Sequence, residues 1–170
     1  RLAHFHSEKY GALGYLDASS FNSKHNADKF KLNIDREIEN NKKVLFVKHH
    51  IDNYDGQFPL WVISELFTFG MLSYFYNDLI TADKKAFAGA DYRNMISWMR
   101  CCTDLRNICA HYGRLYNAKL SKTPMLYKEY SEAGIGNNRI FGVLLCLKHI
   151  LKNDNHWNMF VDKIEILFDK

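Results

Sequence analysis

Apolar residues recur at three- and four-residue intervals along most of the chain, which is the period of helices with one buried face. Phe30, Ile34 and Ile38 stand four apart between Asn26 and Asn40, with Asn26 or Ser23 placed to cap the segment. A second helix is predicted over about Lys43 to Tyr54, with Val44, Val47, Ile51 and Tyr54 on one side, and YDGQ breaks it. Pro59 opens a third, where its missing N–H costs nothing. That segment, PLWVISELFTFGMLSYFYNDL, is apolar nearly all round and is expected to lie centrally. Thr81 can cap a short helix through Phe87, and Asp91 a long one from Tyr92 to about Asn117. Loop signals return at Thr123-Pro124 and across EAGIGNN. One closing helix carries Ile140, Val143, Leu144, Leu147, Ile150 and Leu151. The other, capped by Asp154 or Asn155, carries Trp157, Phe160, Val161, Ile164, Leu167 and Phe168. Residues 1–25 mix histidines, aromatics and glycines and read as irregular, or as the end of an earlier element.

With 170 residues the chain suits one domain, and its 2 prolines and 9 glycines are scant punctuation for a sandwich or barrel. The fold class is therefore all-α, a single helical bundle over residues 1–170. Net charge is +4 with the signs interspersed, which fits a polyanionic partner without marking a dedicated nucleic-acid binder. Cys101, Cys102, Cys109 and Cys146 contain no CxxC pair, so neither a disulfide framework nor a zinc ribbon follows. They read as small apolar residues in a reducing, cytoplasmic setting. Glu65 interrupts the longest apolar run, leaving no membrane span. The chain begins at Arg1, and a native N-terminal portion is expected to be missing.

Turning each residue of the 92–117 helix by ~100° separates two faces. Trp98, Cys101, Leu105, Ile108, Cys109, Tyr112, Leu115 and Tyr116 form the core side. Arg100, Asp104, Asn107, His111 and Arg114 share the other within an arc of ~80°. Asn107 and His111 are one turn apart, so the amide can hold the imidazole tautomer. Arg106 lies ~140° around the axis and ~7.5 Å along it from His111, at the border of the polar face. The two could flank one phosphate only across a groove that something else closes. An exposed face with ordinary pairs such as Arg100–Asp104 would look the same, so R-x4-H needs context.

The run LRNICAHYGRLYN at 105–117 supplies it. It resembles the signature of Abi-like proteins of the abortive-infection AbiD/AbiF type, within the wider HEPN superfamily whose ribonuclease motif is Arg-x4–6-His. Here that motif reads Arg106-Asn107-Ile108-Cys109-Ala110-His111. YGALGYLD (10–17), DREIENNKKVLFVKHH (35–50) and PLWVISELFTFGMLSYFY (59–76) are similar to the same family, in family order, whereas the last 50 or so residues match only as generic helix. The resemblance implies a HEPN-like bundle and metal-independent RNA cleavage, with no cofactor, in a defence or toxin–antitoxin setting. It also implies a homodimer in which two motif helices share a cleft, which would bring two copies of Arg106 and His111 to one phosphate.

RNA carries its own nucleophile, so its cleavage needs a proton acceptor, a proton donor and charge stabilisation at phosphorus. His111 is assigned the proton transfers, Arg106 the phosphate, and Asn107 the orientation of His111 or a phosphate oxygen. Arg100, Arg114 and Lys119 are candidates to track the RNA backbone, as is Asp104 to support the site. Tyr74, Tyr76, Tyr112 and Tyr116 are candidates to stack on bases, although aromatics at helical spacing are mostly core. Glu65, as a carboxylate inside an apolar helix, should find a partner: a structural ion pair, a helix cap, or the Arg106/His111 site. His4/His6 and His49/His50 lack companions at metal-ligand spacing and read as surface histidines. The competing reading is a non-catalytic module that binds RNA or protein through the same face. A metal-dependent nuclease lacks clustered carboxylates. An antitoxin RNA or protein is expected to restrain the activity.

Overall fold

The computed structural model describes residues 1–151 and 153–168. Among them there is no strand, only an isolated antiparallel bridge between Phe21 and Leu79, and the chain is all-α. It divides into two compact units, Arg1–Tyr92 and Arg93–Lys170. No helix among the described residues is long and apolar enough to cross a membrane.

The first unit opens with α1 (Leu2–Tyr10), where the sequence pattern suggested irregular chain or the end of an earlier element. Leu2 and His6 are buried one turn apart, so a histidine holds the place that an aliphatic residue would have advertised. Two 3-10 turns follow at Gly14–Leu16 and Ala18–Ser20. A Cβ at Gly14 would stand 2.4 Å from Tyr10 Cβ, so the chain can fold back on α1 only through glycine here. Tyr15 Oη donates to Phe58 O at 2.8 Å, and Asn22 Nδ2 donates to Asn77 O and Leu79 O at 3.1 Å each.

Helix α2 (Ala27–Asn40) begins where expected, with Asn26 Oδ1 accepting from Lys29 N at 2.9 Å. Helix α3 (Leu45–Asn53) is shorter than predicted and turned differently, since Val47 is buried while Val44, Ile51 and Tyr54 are exposed. Consecutive left-handed residues Asp55 (φ 52°) and Gly56 (φ 69°) make the YDGQ break. The central apolar segment is not one helix. It is α4 (Leu60–Ile63), a 3-10 turn at Ser64–Leu66, and α5 (Phe69–Asp78), with Thr68 Oγ1 capping α5 by accepting from Met71 N at 3.1 Å. Glu65 sits on that turn and is exposed, so it carries no desolvation cost that a partner must relieve. Helix α6 (Thr81–Ala88) and a 3-10 turn at Gly89–Tyr92 close the unit.

Aromatic and imidazole rings fill this core. His6 stacks on Phe21 at 5.4 Å, and His25 stacks on Phe21 at 4.0 Å. Phe75 meets both His6 and Phe21 edge-on, at 5.1 and 5.3 Å. His6 is therefore no surface histidine. Beside it Asp83, also buried, accepts from Tyr10 Oη at 2.7 Å and from Lys9 Nζ.

The second unit comprises α7 (Asn94–Ala110), α8 (Lys128–Glu132), α9 (Ile140–Leu151) and α10 (Asp154–Phe168). Cys101, Leu120 and Val143 form a buried cluster, with Cys102, Leu105 and Ile108 packed against it. Trp98 is buried, donates from Nε1 to Met125 O at 2.7 Å, and stacks on His149 at 5.5 Å. On α9 Val143 is buried and the rest of the expected stripe half-buried. The expected side-chain positions of Leu167 and Phe168 on α10 lie outside the described residues. The four cysteines are free thiols; burial pushes Cys101 and Cys102 up to about 11 and Cys146 to about 12.

His6 generates a stability prediction. Both ring nitrogens are buried without a hydrogen-bond partner, and burial pushes the imidazole down to about 4, with Asp83 opposing and Lys9 adding to the shift. The unfolded chain takes up a proton near pH 6.5 that the folded chain refuses until about pH 4. This contribution to stability is complete above pH 6.5 and declines as pH falls toward 4, by a total on the order of 3 kcal/mol. Urea unfolding at pH 7 and pH 4.5 should show that loss in the native chain and a smaller one in His6→Leu. Equal losses in both would refute it.

Candidate functional site

Helix α7 stops seven residues earlier than its apolar pattern predicts. His111 is the C-cap. Tyr112 adopts a left-handed backbone (φ 56°), Gly113 N donates back to Ile108 O at 2.7 Å, and Tyr112 N donates to Cys109 O at 3.1 Å. This pair of bonds is a Schellman stop, which satisfies carbonyls that the helix would otherwise leave open. A Cβ at Gly113 would stand 2.6 Å from Ile108 Cγ2 and 2.9 Å from Ile108 O, so glycine is required for the closure. Gly113 was the legible sign of this end: glycine just past a helix is the strongest stop signal in a sequence. The apolar spacing of Leu115 and Tyr116 masked it.

Several placements follow. Arg106, Asn107 and His111 are all exposed at the last turn of α7. Arg106 Nη1 donates to Asn107 Oδ1 at 3.1 Å. Asn107 reaches His111 through the backbone, its carbonyl accepting from His111 N at 3.0 Å; its side-chain oxygen turns to Arg106 instead of the imidazole. Cys109 is exposed, not core. Tyr112 and Tyr116, expected on the core face, are 99% and 79% exposed, because the chain has left the helix before them. Arg114 is exposed beyond the helix end, with its guanidinium 5.5 Å from the Tyr116 ring centroid.

The supporting residues divide. Asp104 does not pair with Arg100. It accepts from Ser121 Oγ at 3.1 Å and stands 3.5 Å from Lys122 Nζ, so it ties the loop after α7 back onto the helix. Arg139 Nη1 grips the far side of that loop, donating to Asn117 O at 2.8 Å and Asn117 Oδ1 at 2.9 Å, where Asn117 is itself left-handed (φ 54°). Sequence reasoning missed Ser121 and Arg139, whose roles depend on long-range contacts. Arg100 and Lys119 are exposed in the second unit. Glu65 belongs to the first unit, as does Tyr76, which is buried and donates to Tyr92 O at 3.0 Å. Among the described residues no three His, Cys, Asp or Glu side chains gather as a metal-holding group.

Chemically, the end of α7 presents a permanent cation with a forked donor set, an amide, and an imidazole open to solvent. Such a set can bind an anion and exchange protons with it. The family described as Abi-like protein matches the chain over residues 1–117, a stretch that includes this whole turn and ends at Asn117. No curated protein and no solved structure matches the chain.

The helix stop generates the next prediction. Gly113→Ala forces Ile108 or the turn to shift and should lower the stability of the second unit by about 1–3 kcal/mol, as overpacking does. Urea unfolding followed by Trp fluorescence checks this; an unshifted midpoint would show that the stop is not a tight closure.

Proposed function

Because the chain belongs to the Abi-like protein family, which points to abortive-infection defence, we propose that it is a metal-independent endoribonuclease acting through Arg106, Asn107 and His111. The observation that carries this reading is the exposure of all three at one helix end, reachable by solvent and by a polyanion. A histidine packed among aliphatic side chains could do none of this chemistry.

In the proposed reaction the 2′-OH of the RNA attacks the adjacent phosphorus. The leaving 5′-oxygen departs as a 5′-hydroxyl, and a 2′,3′-cyclic phosphate remains. His111 moves a proton at its imidazole, either from the attacking hydroxyl or to the leaving oxygen. Arg106 binds the phosphate oxygens, whose charge grows in the transition state. Its bond to Asn107 Oδ1 limits where the guanidinium fork can point. On an ideal helical projection Arg106 and His111 stand ~140° apart, so the proposal includes a homodimer in which a second copy supplies the complementary proton step. Restraint of such an activity by an antitoxin RNA or protein belongs to the same proposal.

The purified chain should cleave single-stranded RNA in EDTA. His111→Ala and Arg106→Ala should each lower the rate by a factor of about 100 or more, the scale of a lost general acid–base group for the first and of a lost charge-stabilising donor for the second. Products carrying 2′,3′-cyclic ends, detected by mass spectrometry, are expected. Full cleavage by His111→Ala would end the proposal; retained RNA binding without cleavage in the native chain would replace it with a non-catalytic binding module.

A further inference from the structure

The first unit holds a groove between α2 and α5, with a cavity of about 330 Å³. Met71, Tyr74 and Asn77 follow one another at three-residue steps along α5 and line one wall. Lys29, Phe30 and Asn33 of α2 line the other, and Lys24 stands at one end. The helices meet below through Phe30 and Phe75, whose ring centroids are 5.9 Å apart. Ligand pockets of this kind run from ~300 to ~1,000 Å³, so the space suits one small polar-and-aromatic group and not several.

The composition of the walls narrows the ligand. Tyr74 is 64% exposed although it lies on a helix whose next two residues, Phe75 and Tyr76, are buried. Its ring offers a free aromatic face. Lys24 and Lys29 are exposed, and among the described residues neither forms an ion pair. Lys84, outside the walls, feels both Lys24 and Asp78: burial holds its ammonium below the usual lysine range, with Asp78 opposing and Lys24 adding to the shift. Asp78 is the acidic residue in the wall, and its carboxylate is engaged by His25 Nδ1 at 3.0 Å and Asn77 Nδ2 at 3.1 Å. Asn33 remains with both an amide donor and an acceptor for a planar edge. A stacking face, two lysines without ion pairs beside one hydrogen-bonded carboxylate, and an amide are the complement of a nucleotide: base plane, phosphate and base edge.

We propose that the groove between α2 and α5 binds one nucleotide, with Tyr74 stacking on its base and Lys24 and Lys29 holding its phosphate. A nucleotide within a single RNA strand and a free nucleoside monophosphate share this chemistry. The choice of the strand as source rests on the ribonuclease reading; the site itself does not.

The test uses the full chain and a short 2′-O-methyl RNA of mixed sequence, which lacks the attacking hydroxyl, so binding is read whether or not the chain cleaves. Tyr74→Ala should weaken binding about five- to hundredfold, the worth of one stacked base, while Tyr74→Phe retains it. Lys24→Ala with Lys29→Ala should lower the salt slope of binding by about 1.4, or about 0.7 per lost contact, while Lys43→Ala with Lys48→Ala leaves it unchanged. Displacement by free nucleoside monophosphates would assign the site to free nucleotide, and displacement by the strand alone to RNA. Unaltered affinity in Tyr74→Ala, or equal displacement by polyglutamate, would overturn the site. His111-dependent cleavage with Tyr74-independent binding removes this inference alone; Tyr74-dependent binding without cleavage supports it and removes the ribonuclease reading.

Discussion

A tyrosine in a left-handed conformation organises the second unit. Tyr112 pays a steric cost of roughly 1–2 kcal/mol that glycine in its place would avoid. In return α7 ends in a closed turn, the carbonyls of Ile108 and Cys109 are satisfied, and the chain turns aside with Gly113 against Ile108. His111 becomes the final capping residue instead of a mid-helix side chain. Had the helix run on to Asn117, its next turn would have carried Leu115 and Tyr116 as core and fixed Arg114 beside His111 on one polar stripe. The stop dissolves that stripe and leaves the imidazole at an open end.

What holds the turn in place is polar and long-range. Asp104 takes Ser121 and Lys122, Arg139 takes Asn117, Leu120 N donates to Asn138 O at 2.9 Å, and Ser97 Oγ accepts from Met125 N at 3.1 Å. These bonds lash residues 117–125 to α7 and to the chain before α9. They divide the charged residues of α7 into two jobs. Asp104 is committed to structure, whereas Arg106, two residues on, keeps its guanidinium at the surface.

This division explains what was readable in advance. Helix α2 was legible because its cap and its four-residue apolar spacing agree with each other and with the fold. The 59–79 segment misled because nearly every residue in it is apolar, so period carried no information about where one helix ends; the cap at Thr68 decided it locally. Helix α1 was hard to read because one of its two buried positions is His6, a residue type that pattern reading assigns to the surface. The candidate site was named from Arg106 and His111 and the surrounding resemblance. Its geometry was not legible, since a straight 100° projection carried past Gly113 places Tyr112 and Tyr116 inside when both are outside. Histidine shows how far context decides: His6 and His25 serve as packing rings around Phe21, and His111, of the same type, meets solvent.

The exposure that makes the proposed site accessible also limits what it can do alone. Charges in a high-dielectric setting interact weakly, about 1 kcal/mol at 4 Å in water against several times that where water is excluded. Arg106 and His111 are exposed and are held by one side-chain bond and one backbone turn. A phosphodiester bound there would gain little electrostatic stabilisation until something covers it. Under the proposed reaction, the cover must come from the RNA strand, a second copy of the chain, or both. Catalysis would then depend on assembly around the substrate, and the free chain would be the less active form.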